Sequence, residues 1–435
     1  MTPQKRTEII NALRRGAVPS TGLHALAVGL GRFEEAIDDH LEQVATGHGV
    51  FKAIRGEYGT GKTFFVRWVE ERARRNSFVT TEVQVSESET RLHKMQSVYR
   101  AAMDRIQSAN TAPGSLADLI DRWFFQLEED ALEANNIDPS DEEAVEDAVS
   151  DLLEKRLAKI TQTSPQLAAA LRAYRNALAE DDRPTAQALL AWLAGKPHVT
   201  HTVKKRANIK GEIDHNAALN LLRGLLIMLR NSGFEGLVLV LDEVETLQRV
   251  RSDVREKSLN ALRQLIDYID EGQFPGLFAI ITGTPAFYEG PQGVQRLTPL
   301  AQRLHTDFST SAKFDNPRAV QIRLQGLQQD QLVELGEKIR DIYAAGSDHE
   351  PRILDKADDD YIELLANRVA GEFGGEIRIA PRLFLKKLVA DILDRVDQFP
   401  EFDPRQDYDL TLEAEEMTEE EREIAGVDDI TLDVE

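Results

Sequence analysis

The chain has 435 residues, with 52 Lys+Arg against 75 Asp+Glu for a formal net charge of −23, and it contains no cysteine. Zero cysteine excludes a disulfide framework, a thiol nucleophile, iron–sulfur ligation and Cys-based zinc sites, and the length predicts about three folding units with a substantial core. The charge excludes less than it suggests: residues 401–435 carry 15 acids and 2 bases and residues 127–154 carry 12 acids and no base, which leaves +2 on the remainder, a body not barred from nucleic acid.

The first residues, MTPQKRTEIINALRRG, alternate charged and apolar side chains and lack the apolar stretch of a secretion signal. Apolar positions at three- and four-residue spacing predict helices over Thr7–Leu13 and Arg32–Val44. Val50–Ile54 reads as a buried strand that ends in a glycine-rich turn, followed by a helix over Phe64–Arg75 and a strand over Ser77–Val85. From about residue 91 to 231 the pattern is helical. Leu116, Leu119, Ile120, Trp123, Phe124 and Leu127 share one face of a predicted core helix, and Asp138-Pro139-Ser140 reads as a helix start.

Gly236–Leu241 and Leu277–Thr282 are short apolar runs that fit strands buried on both faces of a parallel sheet, with a helix over Arg255–Ile269 between them. Val320–Leu324 reads as a further strand, and helices follow to about Val396. After Pro400 the chain is acidic and without periodicity, so disorder is expected. Leu225–Leu229 and Leu237–Leu241, the longest apolar runs, fall far short of the roughly 20 residues that span a bilayer. The expectation is an α/β, soluble, cytoplasmic protein with no membrane partner.

Residues 56–63 read Gly56-Glu57-Tyr58-Gly59-Thr60-Gly61-Lys62-Thr63, a full match to G-x-x-x-x-G-K-[ST]. Glycines let backbone N–H groups curl round phosphate oxygens at the positive end of a helix. Lys62 is expected to reach the β/γ-phosphates and Thr63 to ligate Mg²⁺. The run Leu237–Leu241 then delivers Asp242 and Glu243 to a strand tip. There Asp242 suits a Mg²⁺ ligand in the Walker B role, and Glu243 suits a base for the attacking water. Forty residues beyond Asp242, Thr282 and Thr284 end a neighbouring strand, and Thr282 is the preferred residue for holding that water. Arg296, Arg303 and Arg382 are candidates for meeting charge on the γ-phosphoryl group. His198 and His201 lack nearby co-ligands, so no metal is expected there.

The phosphate loop, the Asp-Glu strand, the polar third strand and the helical C-terminal part together resemble an AAA+ P-loop ATPase. The resemblance narrows at Arg14-Arg15-Gly16-Ala17-Val18-Pro19, Val28-Gly29-Leu30-Gly31-Arg32, Ala191-Trp192-Leu193-Ala194-Gly195, Asp242-Glu243-Val244-Glu245 and Ala380-Pro381-Arg382-Leu383-Phe384-Leu385. This set is similar to the BREX-type phage-defence ATP-binding proteins (BrxC/BrxD type), and at this length to the BrxD form, over about residues 5–395. The resemblance implies ATP and Mg²⁺ as cofactors, other BREX-type defence proteins as partners, DNA as a further candidate partner, and ATP-dependent homo-oligomers. It implies that Lys62, Thr63, Asp242 and Glu243 serve the ATPase, with Thr282 as sensor 1, Arg303 as arginine finger and Arg382 as sensor 2.

The implied organisation is an N-terminal helical segment (1–49), a P-loop core (50–91 and 232–324), a long helical insertion between the two Walker elements (92–231), a C-terminal helical lid (325–398) and an acidic tail (399–435). The leading function is an ATP-hydrolysing switch or motor. The alternatives are a nucleotide-gated scaffold with little turnover and a DNA-translocating or DNA-remodelling ATPase. For the last, Lys204-Lys205-Arg206 is the basic stretch of the helical region.

Overall fold

A computed structural model of the chain describes residues 1–135, 141–372 and 380–411, together with Arg422. Its elements begin with α1 (Pro3–Arg14), α2 (Leu23–Leu26), α3 (Gly31–Ala45), β1 (Val50–Arg55), α4 (Lys62–Arg75) and β2 (Phe78–Gln84). A helical stretch follows: α5 (Met95–Arg105), α6 (Leu116–Asn135), α7 (Glu142–Thr163), α8 (Pro165–Ala179), α9 (Arg183–Leu193), α10 (His201–Arg206) and α11 (His215–Asn231). Then come β3 (Gly236–Asp242), α12 (Ser252–Asp270), β4 (Leu277–Gly283), α13 (Pro285–Glu289), α14 (Thr298–Arg303) and β5 (Gln321–Arg323). The described chain closes with α15 (Gln329–Ala344), α16 (Glu350–Lys356), α17 (Asp359–Glu372), α18 (Ala380–Lys386), a π-helical turn Lys387–Leu393 and α19 (Asp394–Gln398).

The strands form one parallel sheet in the order β2-β3-β4-β1-β5. β3 and β4 are buried along their whole length. That burial explains why they read as continuous apolar runs and not as alternating ones. Alternation reappears as a division between two cores. Val50, Ile54, Val238, Val240, Phe278 and Ile280 face α3 and α4. Phe51, Ala53, Leu237, Leu239, Leu241, Ala279 and Ile281 join the cluster that also holds α5–α9, α11 and α12. The helices between β2 and β3 therefore share a core with one sheet face.

A third cluster is built from α15–α19 and takes in Ile9, Ile10 and Leu13 of α1. The first 49 residues do not act as one unit: α1 belongs to the C-terminal helices and α3 to the sheet. The disorder expected after Pro400 does not extend to residues 401–411, and 412–435 apart from Arg422 lie outside the described residues. Phe402 and Leu410 pack against the C-terminal core, and Tyr408 is buried there with its hydroxyl 3.1 Å from Asp391 Oδ2. An aromatic pair supplies enough apolar surface to hold an otherwise acidic segment. The start predicted at Asp138-Pro139-Ser140 lies outside the described residues; the α7 cap is Asp141, whose carboxylate accepts the Ala144 amide. Among the described residues no helix is long and apolar enough to cross a membrane.

Candidate functional site

Because all strands are parallel, their C-terminal tips lie along one edge, where ligands of such sheets sit. The strand order puts β4 between β1 and β3, so Thr282 stands between the 56–63 loop and Asp242. The loop leaves β1 and enters α4 through Gly61, whose φ of +85° is a left-handed conformation open to glycine at no steric cost. At Gly56 the reason is space: a Cβ there would lie 2.4 Å from the Thr60 hydroxyl. That hydroxyl donates to the Glu57 carbonyl at 2.8 Å and closes the turn.

Lys62, the first residue of α4, folds back over the loop. Its ammonium donates to the carbonyls of Gly56 (2.9 Å) and Glu57 (3.2 Å), and lies over the Tyr58 ring, 5.1 Å from the centroid. Burial lowers its pKa, opposed by Glu245, Asp242, Glu57 and Glu243. Next along the helix, the Thr63 hydroxyl donates to Asp242 Oδ2 at 3.3 Å. The other oxygen, Asp242 Oδ1, accepts from the Thr282 hydroxyl and from the Glu243 amide at 3.2 Å. Burial pushes the Asp242 carboxyl up, and the Thr282 hydrogen bond pulls it back. Of the two candidate threonines, Thr282 in β4 and Thr284 just beyond it, it is Thr282 that touches the carboxylate.

Glu243 takes a left-handed conformation, φ 60° and ψ 44°, which costs a non-glycine residue about 1 kcal/mol or more. Besides the contact of its amide with Asp242, two further hydrogen bonds hold it there. Its amide donates to Thr282 Oγ1 at 3.0 Å, and its Oε2 accepts from Gln84 Nε2 at 2.9 Å. The strained turn sets Glu243 beside Asp242 at the sheet edge while keeping its carboxylate out of the strand.

Sequence reasoning missed two residues here. Gln84 ends β2 and is in register with Asp242, so a strand alignment would have pointed to it. Glu245 follows in the turn after β3 and is 6% exposed, with its Oε1 3.9 Å from Lys62 Nζ. Among the described residues neither of its carboxylate oxygens has a hydrogen-bond partner outside Glu245 itself. An acid after Asp-Glu reads as solvated, and no residue pattern signals its burial.

The arginines are placed elsewhere. Arg303 donates to Asp267, near the end of α12 that leads into the start of β4, and to the Pro299 carbonyl at 2.9 Å. That is the edge of the sheet opposite Thr282. Arg296 donates to Ser252 Oγ at 2.9 Å. Arg382 lies beside the turn that ends α1, where a Cβ on Gly16 would come within 3.2 Å of its Nη1. In α10, Lys204 pairs with Glu212 at 2.6 Å and Arg206 with Asp182 at 2.6 Å.

The donor set suits a nucleotide phosphate with a small hard cation. Thr63 Oγ1 and Asp242 Oδ2, 3.3 Å apart, are the oxygens that could hold such a cation beside the phosphates. Among the described residues no group of three or more His, Asp or Glu forms an all-protein cage. A family model described as BREX system ATP-binding protein BrxC/D matches residues 1–412, and its description covers both forms without separating them. No curated protein and no solved structure matches the chain.

Proposed function

The chain belongs to the family of BREX system ATP-binding proteins BrxC/D, and on that premise we propose that it is an ATP-hydrolysing switch of AAA+ type within phage defence. The observation that carries this reading is the hydrogen-bonded chain Thr63–Asp242–Thr282–Glu243, which joins the glycine loop to the tips of β3 and β4. Binding alone needs the loop and Lys62. A second carboxylate fixed in a strained turn beside the first is a feature of water activation.

In this reading residues 56–61 present backbone amides to the β- and γ-phosphates, and Lys62 exchanges the Gly56 and Glu57 carbonyls for phosphate oxygens. Thr63 and Asp242 hold Mg²⁺, which supplies charge neutralisation on the phosphates when bound. Glu243, once released by Gln84, accepts a proton from the attacking water, and Thr282 keeps Asp242 and the Glu243 amide aligned. Arg303, at the opposite edge of the sheet, is assigned to the nucleotide of a neighbouring copy, and Arg382 to reporting nucleotide state to the C-terminal helices and α1. The helices from α5 to α11 are a surface for other BREX proteins. The DNA-translocating alternative loses support from α10, because Lys204 and Arg206 are already paired with acids.

The test measures phosphate release, ATP binding and mass by light scattering for wild type, Lys62→Ala and Glu243→Gln. Lys62→Ala is expected to abolish binding, and Glu243→Gln to bind ATP, assemble and fail to hydrolyse it. Equal and negligible phosphate release by wild type and Glu243→Gln, with DNA and partner proteins present, leaves the scaffold reading in its place.

A further inference from the structure

Glu245 is a buried acid that the steps above do not use. It is 6% exposed, and among the described residues neither buried carboxylate oxygen has a hydrogen-bond partner outside Glu245 itself. A carboxylate buried in this way is costly unless a cation offsets it. The cation facing it is Lys62, whose Nζ lies 3.9 Å from Oε1, too far for a hydrogen bond but well within Coulomb range. Its other charged or titratable neighbours are Asp242 and Glu243, which carry the same sign, and Tyr288, whose hydroxyl burial pushes up and Glu245 pushes further.

Lys62 has three N–H donors. Two are occupied by the Gly56 and Glu57 carbonyls, and the Glu245 carboxylate lies 3.9 Å from the ammonium. A nucleotide drawing Lys62 toward its phosphates must therefore compete with two carbonyl acceptors and with the attraction of the nearby Glu245 carboxylate. It must also bring its own negative charge close to that carboxylate in a low-dielectric site.

Resting on the ATP-binding reading above, we propose that Glu245 is a positioning residue that acts through Lys62. It holds the ammonium retracted onto the loop when no nucleotide is present and thereby weakens the grip on bound ATP and ADP. Glu245 sets how readily nucleotide leaves, and the loop sets whether it binds at all.

Calorimetric titration of the full-length chain with ATP and with ADP at pH 8, where the carboxyl, pushed up by burial to about 7, is mostly ionised, tests this. Glu245→Gln removes the charge at nearly constant shape and is expected to lower both Kd values on the order of tenfold. Glu245→Met, which buries no polar atom, is expected to do the same and covers a folding defect in the amide variant. Glu245→Asp keeps the charge and is expected to stay near wild type, a rescue that a purely structural role does not produce. Unchanged or weaker binding in both neutral variants, with wild-type melting, overturns the proposal. Failure of the wild type itself to bind either nucleotide overturns the ATP-binding reading and this inference together.

Discussion

Arg14 and Asp394, separated by 380 residues of chain, meet through two parallel hydrogen bonds, Nε to Oδ2 at 2.6 Å and Nη2 to Oδ1 at 2.8 Å. The same carboxylate accepts the Tyr343 hydroxyl at 2.7 Å. The fork fastens α1 onto the C-terminal helices, over the apolar seam of Ile9, Ile10 and Leu13. Arg14→Ala should cost about 1 kcal/mol, since the guanidinium is partly exposed and screened. Asp394→Ala should cost more, because it strands both Arg14 and Tyr343. Denaturant midpoints read the difference, and hydrogen exchange should locate it in α1. Equal protection of α1 in all three proteins would show the fork to be incidental.

Gln84 holds the Glu243 carboxylate by a single neutral amide hydrogen bond, 2.9 Å long. Breaking it should free the carboxylate at little cost to the fold. Gln84→Ala is expected to raise basal phosphate release a few-fold, the equivalent of about 1 kcal/mol. ATP affinity should be unchanged, since its hydrogen bond goes to Glu243 and not to the loop. A drop in turnover would mean that Gln84 orients Glu243 for reaction and does not restrain it.

Glu70, in the middle of α4, gives a pH dependence of stability. Burial, reinforced by Glu82, pushes its carboxyl from an ordinary 4.5 up to about 8, with Arg74 and Arg67 pulling it back. The folded chain therefore keeps a proton that the unfolded chain releases above pH 4.5. Stability should fall as pH rises from about 4.5 to about 8, and no further beyond. Glu70→Gln removes the group and should flatten that slope, stabilising the protein by roughly 1–3 kcal/mol at pH 8 and hardly at all at pH 4.5. Chemical denaturation of both proteins at the two pH values decides it.

The end of the C-terminal unit predicts where the chain tolerates cutting. Lys356 donates to the Pro400 carbonyl at 2.7 Å, and Tyr408 is buried against Asp391. Removing residues 412–435 takes away none of these contacts and should leave ATP binding as in the full chain. Removing residues 401–435 also strips Phe402 and Tyr408 and should lower stability by about 2–4 kcal/mol. Identical melting of the two truncations would contradict the packing of this segment.

Much of this arrangement is legible in the residues, and the reason is burial on both sheet faces. A strand such as Gly236–Asp242 has no solvent side, so its position is written as an unbroken apolar run ending in acids. The glycine spacing of 56–63 is equally local, because the backbone itself makes the cradle. The parts that escaped depend on what other segments do. Tyr408 looks like a lone aromatic in an acidic stretch until α17 and the π-helical turn surround it. Glu245 looks like any third acid in a row; only the fold encloses it beside Lys62. Arg303 is well placed in sequence, yet Asp267 takes it at the opposite sheet edge.

The strand order also sets the timing of folding. β1 pairs with β4 and β5, and β2 pairs with β3, so neither of the first two strands finds its partner nearby in the chain. During synthesis Val50–Arg55 and Phe78–Gln84 must wait until about residue 283 has been made before both have partners. Pairings this remote are slow and leave apolar strand edges open meanwhile. The helices from α5 to α11 appear in that interval and can cover one face of the waiting strands. The protein's yield in the cell should then hinge on how fast those helices collapse, and on chaperones guarding the face that packs on α3 and α4.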